Sequence, residues 1–418
     1  MRDRLHSNLI RAAAFGTARI LEGSARTFGW QPVSLDPDTL EAAARRAVRL
    51  EDFGDPYYRV GLGQLVQSLD HDADLHLIGR VFMRQYIRNA LINRLLLQEH
   101  RRARPEVHEA PLRPPIIITG LPRTGSTWLH QVMSRVPGFF APPYWLLVRP
   151  LPARPGDTEE ARKSAAGREV RVWKSITPSL RDKHKISVTA PEECIFALSL
   201  TFQTQIFMVP AESYLAWYAS SDRQGKYADY RSILMVLQAM HPDKTLLLKA
   251  PDHLGGLDAL CAAVPEARIV QLHRDPVKIM SSVASLAYSA QYGLTNRRDP
   301  ARVAASLADY FETTLRRNLA QRPHLPVPLL DLRYDQVVAD PVGTVAQILK
   351  AFHRPLASRD RARLASYVDR KAKDQRPHRY SGTDFGLDDA QTAERFRFYS
   401  TCFEARRDEP APVNPTLP

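Results

Sequence analysis

The feature that most constrains this chain is a short β-branched run that breaks into a glycine-bearing loop. Residues 115–120 read Pro115-Ile116-Ile117-Ile118-Thr119-Gly120 and continue as Leu121-Pro122-Arg123-Thr124-Gly125-Ser126-Thr127-Trp128. A continuous apolar run of this kind has no polar face to give to water, which predicts a strand buried on both sides. After the loop, Trp128, Leu129, Val132 and Met133 recur at helical spacing. Strand, loop and helix in that order form a cradle for phosphate oxygens. The N–H groups at a helix start have no partner of their own, and glycine lets the backbone come close.

Further buried-strand patterns follow at Thr245-Leu246-Leu247-Leu248 and Ala267-Arg268-Ile269-Val270-Gln271-Leu272, with a fourth at 326–332. Helical stretches separate them. The expected fold is α/β: a P-loop-like parallel sheet flanked by helices. Residues 1–112 read as a helical N-terminal extension, from Leu5, Leu9, Ile10 and Ala13 and a stronger amphipathic run between Leu75 and Leu95. The segment Gln98 to Arg113 reads as a polar linker. An α/β domain is expected over 113–400, with a helical insertion at 141–240 and a tail at 401–418. The Pro- and Arg-rich stretch 149–163 reads as an exposed loop. The insertion holds Phe196, Phe202, Phe207, Tyr214, Trp217 and Tyr218. At helical spacing these serve either as core or as an apolar lid over an acceptor site.

Composition excludes several classes. The cysteines, Cys194, Cys261 and Cys402, are far apart and in no Cys-x-x-Cys spacing, which argues against a disulfide framework or a zinc site. No run approaches the ~20 apolar residues of a membrane span, and Arg11 and Arg19 interrupt the early apolar patch, so a cytoplasmic protein is expected. The net charge of +13 suits an anionic small molecule. It also leaves open a peripheral contact with anionic lipid. No nucleic-acid motif accompanies the charge, and specific nucleic-acid binding is not expected. A homodimer is left open.

The loop departs from an ATP-binding P-loop. Ser126 stands where the lysine belongs, the cation is Arg123 in mid-loop, and the next strand ends in Lys249 rather than a metal-linked aspartate. These cations can neutralise a bridging phosphate without metal. A second signal is His273-Arg274-Asp275-Pro276 after the third strand, with Ser282 eight residues beyond Arg274. An arginine at a strand end and a hydroxyl two turns into the next helix can meet on one phosphate.

Together these motifs resemble the sulfotransferase family that uses 3′-phosphoadenosine-5′-phosphosulfate (PAPS), its bacterial branch with a helical N-terminal extension. The resemblance runs from about Ile116 to Tyr399. It implies transfer of a sulfuryl group from PAPS to a hydroxyl of a small-molecule, lipid or glycan acceptor, with release of PAP. By position, Pro122, Arg123, Thr124, Gly125, Ser126 and Thr127 would hold the 5′-phosphosulfate. Arg123 and Lys249 would stabilise the leaving phosphate, and Trp128 would stack near adenine. Arg274 and Ser282 would bind the 3′-phosphate. Arg379, within His378-Arg379-Tyr380-Ser381-Gly382, is a further phosphate candidate. Lys249-Ala250-Pro251-Asp252-His253 resembles the family's Lys-x-Pro-x-His stretch and nominates His253 as base. Many relatives carry a Trp-Glu pair after the phosphate-loop helix; here it reads Trp145-Leu146. Either His253 works alone, or Glu192 or Glu193 substitutes, or the acceptor is unusually acidic. Two rival readings stand beside this one: a nucleotide kinase or NTPase with a degenerate P-loop, and a non-catalytic nucleotide or polyanion binder.

Overall fold

The structure is a computed structural model and describes residues 33–180, 183, 186–372 and 383–404. Its centre is a sheet in the order β2-β3-β1-β4-β5, parallel throughout. The strands are β1 (Ile116–Gly120), β2 (Phe139–Phe140), β3 (Thr245–Lys249), β4 (Arg268–His273) and β5 (Leu329–Arg333). The expected parallel α/β sheet is therefore present. The two-residue β2 was not anticipated, because Phe139–Phe140 is too short to show a strand pattern.

All five residues of β1 are buried, and Ile116 pairs with both Leu247 and Arg268, so β1 is central. Period-two alternation then splits its side chains between the two faces. Ile116 and Ile118 join Leu247, Val270, Leu332 and the helices Ser126–Met133 and Pro341–Ala351. Ile117 joins Leu246, Leu248, Ile269 and the helix Gln224–Met240 on the other face. Each fully buried Leu or Ile contributes roughly 1.5–3 kcal/mol.

Helices Pro37–Val48, Tyr57–His71 and Leu77–Ala103 precede the sheet and share a third core with the helices Pro276–Gln291 and Pro300–Gln321. The early leucines of the sequence reading lie outside the described residues. The expected linker from Gln98 is largely helix. Leu77–Ala103 continues to Ala103 and Pro105–Glu109 forms another turn, because Leu95, Leu96, Leu97 and Gln98 remain buried. The expected loop at 149–163 is likewise shortened, since Thr158 caps a helix starting at Glu159. Of the six aromatics singled out in the insertion, Phe202, Tyr214 and Tyr218 are core, while Phe196 and Phe207 line a cavity.

A buried ion pair anchors the insertion to the sheet. Lys226 bonds Asp252, and Asp252 Oδ1 also accepts from the Gln205 N–H (2.7 Å) and the Tyr218 hydroxyl (3.0 Å). Both charges are out of water, so truncating either alone costs about 3–5 kcal/mol. Among the described residues, no helix is long and apolar enough to cross a membrane.

Candidate functional site

Gly120 ends β1 at φ 137°, and a Cβ there would sit 2.5 Å from the Leu272 carbonyl oxygen. Only glycine lets the chain leave the sheet here. Arg123 takes φ 69° and Gly125 φ 83°, so two left-handed residues curl the loop into a cup. The helix Ser126–Met133 opens at its rim. Its first backbone bond runs from the Leu129 N–H to the Gly125 carbonyl at 3.0 Å, which leaves the Ser126, Thr127 and Trp128 N–H groups at the open end. That is an anion cradle by construction.

Two cations address the cup from different strands. Lys249, at the end of β3, is 1% exposed; its Nζ donates to Thr127 Oγ1 at 3.0 Å and forms a close ion pair with Glu193. Arg274 follows β4, and its Nη1 donates to the Arg123 carbonyl at 2.7 Å. Arg123 in turn donates from Nε to Ser282 Oγ at 3.0 Å. The two sequence signals, separated by about 150 residues of chain, thus close on one another through Arg123. The Arg274 guanidinium stacks 3.9 Å from the Tyr334 ring centroid, and its Nε is buried with no hydrogen-bond partner. Burial, with repulsion from Arg123 as a smaller cause, draws Arg274 below the usual arginine value. A crowded cation with an orphaned donor marks a place where an anion is stabilising.

The expected residues do not all behave alike. The Thr124 hydroxyl is buried and donates to the Leu121 carbonyl at 2.8 Å, so it shapes the loop. Ser126 is 5% exposed, and Thr127 is open. Trp128 is half-buried, with its ring 6.1 Å from Tyr367 at 17° between planes. Arg379 lies outside the described residues. His253 does not reach the cup. The turn Pro251–His253 directs its ring into the core, where Nε2 lies 3.2 Å from Cys194 Sγ and Nδ1 lies 3.1 Å from the Tyr227 hydroxyl. It is 0% exposed, and burial, assisted by Lys226, pushes its pKa down to about 3. A ring enclosed in this way has no free nitrogen to offer an acceptor. Leu146 is core.

Glu193, another candidate base, stands beside Lys249. The Cys194 N–H donates to the Lys249 carbonyl at 3.0 Å, which pins this segment to the end of β3. Glu192 is turned inward, and its Oε1 accepts the Glu193 N–H at 3.0 Å. Glu193, with Pro122 and Pro251, forms one wall of a cavity of about 560 Å³. The other walls are largely apolar: Phe82 and Tyr86 from Leu77–Ala103, Trp173 from Glu159–Ile176, and Phe196 and Phe207. Sequence reasoning read the insertion aromatics as either core or an apolar lid, and missed the cavity wall from Leu77–Ala103, which meets the others only through tertiary packing.

Also missed were Tyr334, which seats both Arg274 and the loop, and the polar layer behind Arg274. There Asp331 accepts from His273 Nε2 at 2.7 Å and from Arg322 Nη2 at 2.5 Å. Burial by itself raises the Asp331 pKa, but the hydrogen bond and charge of His273 and the charge of Arg322 outweigh it and bring it to about 2. A depressed carboxyl stabilises the fold fully above its unfolded pKa near 3.8 and loses that contribution as pH falls through about 2. Asp331→Asn is therefore expected to flatten the pH dependence of urea unfolding between about pH 5 and 2, by about 2 kcal/mol. Equal acid limbs in the two proteins would show that the carboxylate is not so held.

The family model described as the sulfotransferase family matches residues 114–358. No curated protein matches the chain. Among solved structures, the sulfotransferase STF1 of Mycobacterium tuberculosis H37Rv is similar at 29% identity and a TM-score of 0.71, covering 86% of this chain and 98% of its own. The sulfotransferase STF9 of Mycobacterium avium shares the fold at 21% identity and a TM-score of 0.75, covering 90% of this chain and 98% of its own.

Proposed function

The chain belongs to the sulfotransferase family, and we propose that it moves a sulfuryl group from PAPS to the hydroxyl of a largely apolar alcohol, with Glu193 as the base. The observation that carries this is the position of Arg123. It touches Ser282 with its side chain and Arg274 with its carbonyl, so the loop cradle and the second anion pocket are neighbours, as a bisphosphorylated co-substrate requires. The orphaned Arg274 Nε and the free N–H groups of Ser126–Trp128 fit its two phosphate ends.

When bound, PAPS would supply the activated sulfuryl group and a phosphate leaving group. The chain's own residues do the rest. The N–H groups of 126–128 and the Thr127 hydroxyl hold and orient the 5′ end. Arg274 and Ser282 hold the 3′-phosphate, and Trp128 with Tyr367 offers aromatic faces to the base. Lys249 stands between Thr127 and Glu193 and places positive charge where negative charge grows on the leaving oxygen. Glu193 faces the cavity and removes the acceptor's proton; its ion pair with Lys249 fixes the carboxylate at the junction of the two sites. The apolar walls admit an aliphatic or aromatic body and exclude water from the transfer.

The test is transfer of labelled sulfate from PAPS to a panel of aromatic, sterol-like and long-chain alcohols, read by mass spectrometry. Glu193→Gln is expected to lower kcat by about 10²- to 10⁴-fold with little change in PAP affinity. His253→Gln leaves the pH profile unchanged. No transfer to any alcohol would defeat the activity as a whole. A Glu193→Gln enzyme at full rate would remove only the base.

A further inference from the structure

We propose that the end of the sheet opposite the phosphate loop holds a second anion site, fitted to a small organic phosphate. Ile116, Thr245 and Arg268 are the first residues of β1, β3 and β4, and all three line a separate cavity of about 350 Å³. Because the strands are parallel, this cavity lies at their N-terminal ends, while the loop, Lys249 and Arg274 lie at their C-terminal ends.

Three arginines line it, Arg113, Arg268 and Arg354, together with His353; Arg354 stands within electrostatic reach of both the others. The one carboxylate in the lining, Asp243, makes no ion pair among the described residues, and neither do the three arginines. Arg231–Glu266 and Arg322–Asp331 show partly buried arginines with carboxylate partners, whereas Arg317 and Arg162 hydrogen-bond only backbone carbonyls among the described residues. Here the neighbours are other cations. Burial and the charge of Arg354 lower the Arg268 pKa, and burial and the charge of Arg113 lower that of Arg354. Such crowding is relieved by an anion.

A purely structural role accounts for part of the cluster. Arg268 Nη1 donates to the Phe352 carbonyl at 3.0 Å. Arg354 donates to Thr245 Oγ1 at 3.2 Å and to the Pro137 carbonyl at 3.1 Å. These bonds fix two guanidiniums and leave their other N–H groups available. Arg113 makes no hydrogen bond among the described residues and is exposed, so no structural bond explains its place beside Arg354. Three planar forks can serve the three oxygens of a phosphoryl group, and match its double charge better than a carboxylate's single one. Leu349 and Phe352 supply an apolar wall for the organic part.

Phenyl phosphate and inorganic phosphate, titrated calorimetrically into the full chain with and without saturating PAP, test this. With PAP saturating the cradle, one equivalent of phenyl phosphate is expected to bind, more tightly than inorganic phosphate. Arg113→Gln is expected to weaken it about tenfold, and Arg113→Gln with Arg354→Gln to abolish it, with PAP affinity unchanged. Absence of phenyl phosphate binding to PAP-saturated protein overturns the site, as does binding that ignores both variants. Equal affinity for the two probes overturns the organic part of the ligand. Failure of PAP to bind would count against the sulfotransfer reading and leave the Arg113 comparison intact.

Discussion

Lys249→Met is expected to lower kcat by about 10²- to 10³-fold while changing PAP affinity by less than tenfold. The split follows from what Lys249 touches. Its Nζ reaches Thr127 and Glu193, at the junction of cradle and cavity, and among the described residues it makes no hydrogen bond to Ser282. On the proposed reading, ground-state phosphate would be held by the loop N–H groups and by Arg274, which the substitution leaves alone. What disappears is the positive charge facing an oxygen that becomes more negative as its bond to sulfur breaks. A preorganised donor lost from such a place costs about 2.7–4 kcal/mol in the barrier. Lys249 is 1% exposed, so water does not replace the charge, and methionine keeps the volume so that no cavity opens. Lys249→Arg restores the charge but not the rate, since a planar guanidinium does not fit a slot that holds one ammonium between Thr127 and Glu193. Single-turnover rates and PAP titrations on the three proteins measure both halves. A kcat within threefold of the parent would show that Lys249 serves the fold and not the transfer.

The cradle was legible because it is local. A β-branched run buried on both faces, two glycines and a helix start lie within about 15 residues, and each has one physical reading. Arg274 and Ser282 were legible as a pair for the same reason, being two turns apart on one strand–helix junction. Their meeting with Arg123 rests on the strand order, which places β4 directly beside β1. His253 shows where local reading fails. Its position after Lys249 is right for a base, but one turn of 3₁₀ helix decides whether the ring faces the cavity or the core. Tyr227 and Tyr230, more than 20 residues upstream, form the pocket that takes it inward. Glu193 was visible only as one candidate among three, because what brings it beside Lys249 is the hydrogen bond from the Cys194 N–H to the Lys249 carbonyl, a contact no sequence spacing announces. The wall from Leu77–Ala103 and the seat made by Tyr334 belong to the same class.

Arg274→Ala is expected to abolish most of the stabilisation that PAP confers. A ligand at 100 times its Kd stabilises a fold by about 2.7 kcal/mol. For a chain of this length that is a rise in Tm of about 3 °C. Two charge-assisted hydrogen bonds to a phosphate are worth about 3 kcal/mol, or a little over a hundredfold in affinity. At the same PAP concentration the variant is then near its own Kd, and the stabilisation falls to about 0.4 kcal/mol, a shift of about 0.5 °C. The unliganded variant must be measured beside it, because Arg274 also donates to the Arg123 carbonyl and packs on Tyr334. Loss of those contacts lowers the baseline Tm without affecting the PAP-induced difference. Arg274→Lys separates charge from geometry. It keeps the cation and loses the fork, so it is expected to recover less than half of the shift. Differential scanning calorimetry with and without PAP reads all of these. If Arg274→Ala kept the full PAP-induced rise, the pocket formed by Arg274 and Ser282 would not hold a phosphate, and the convergence on Arg123 would be packing alone.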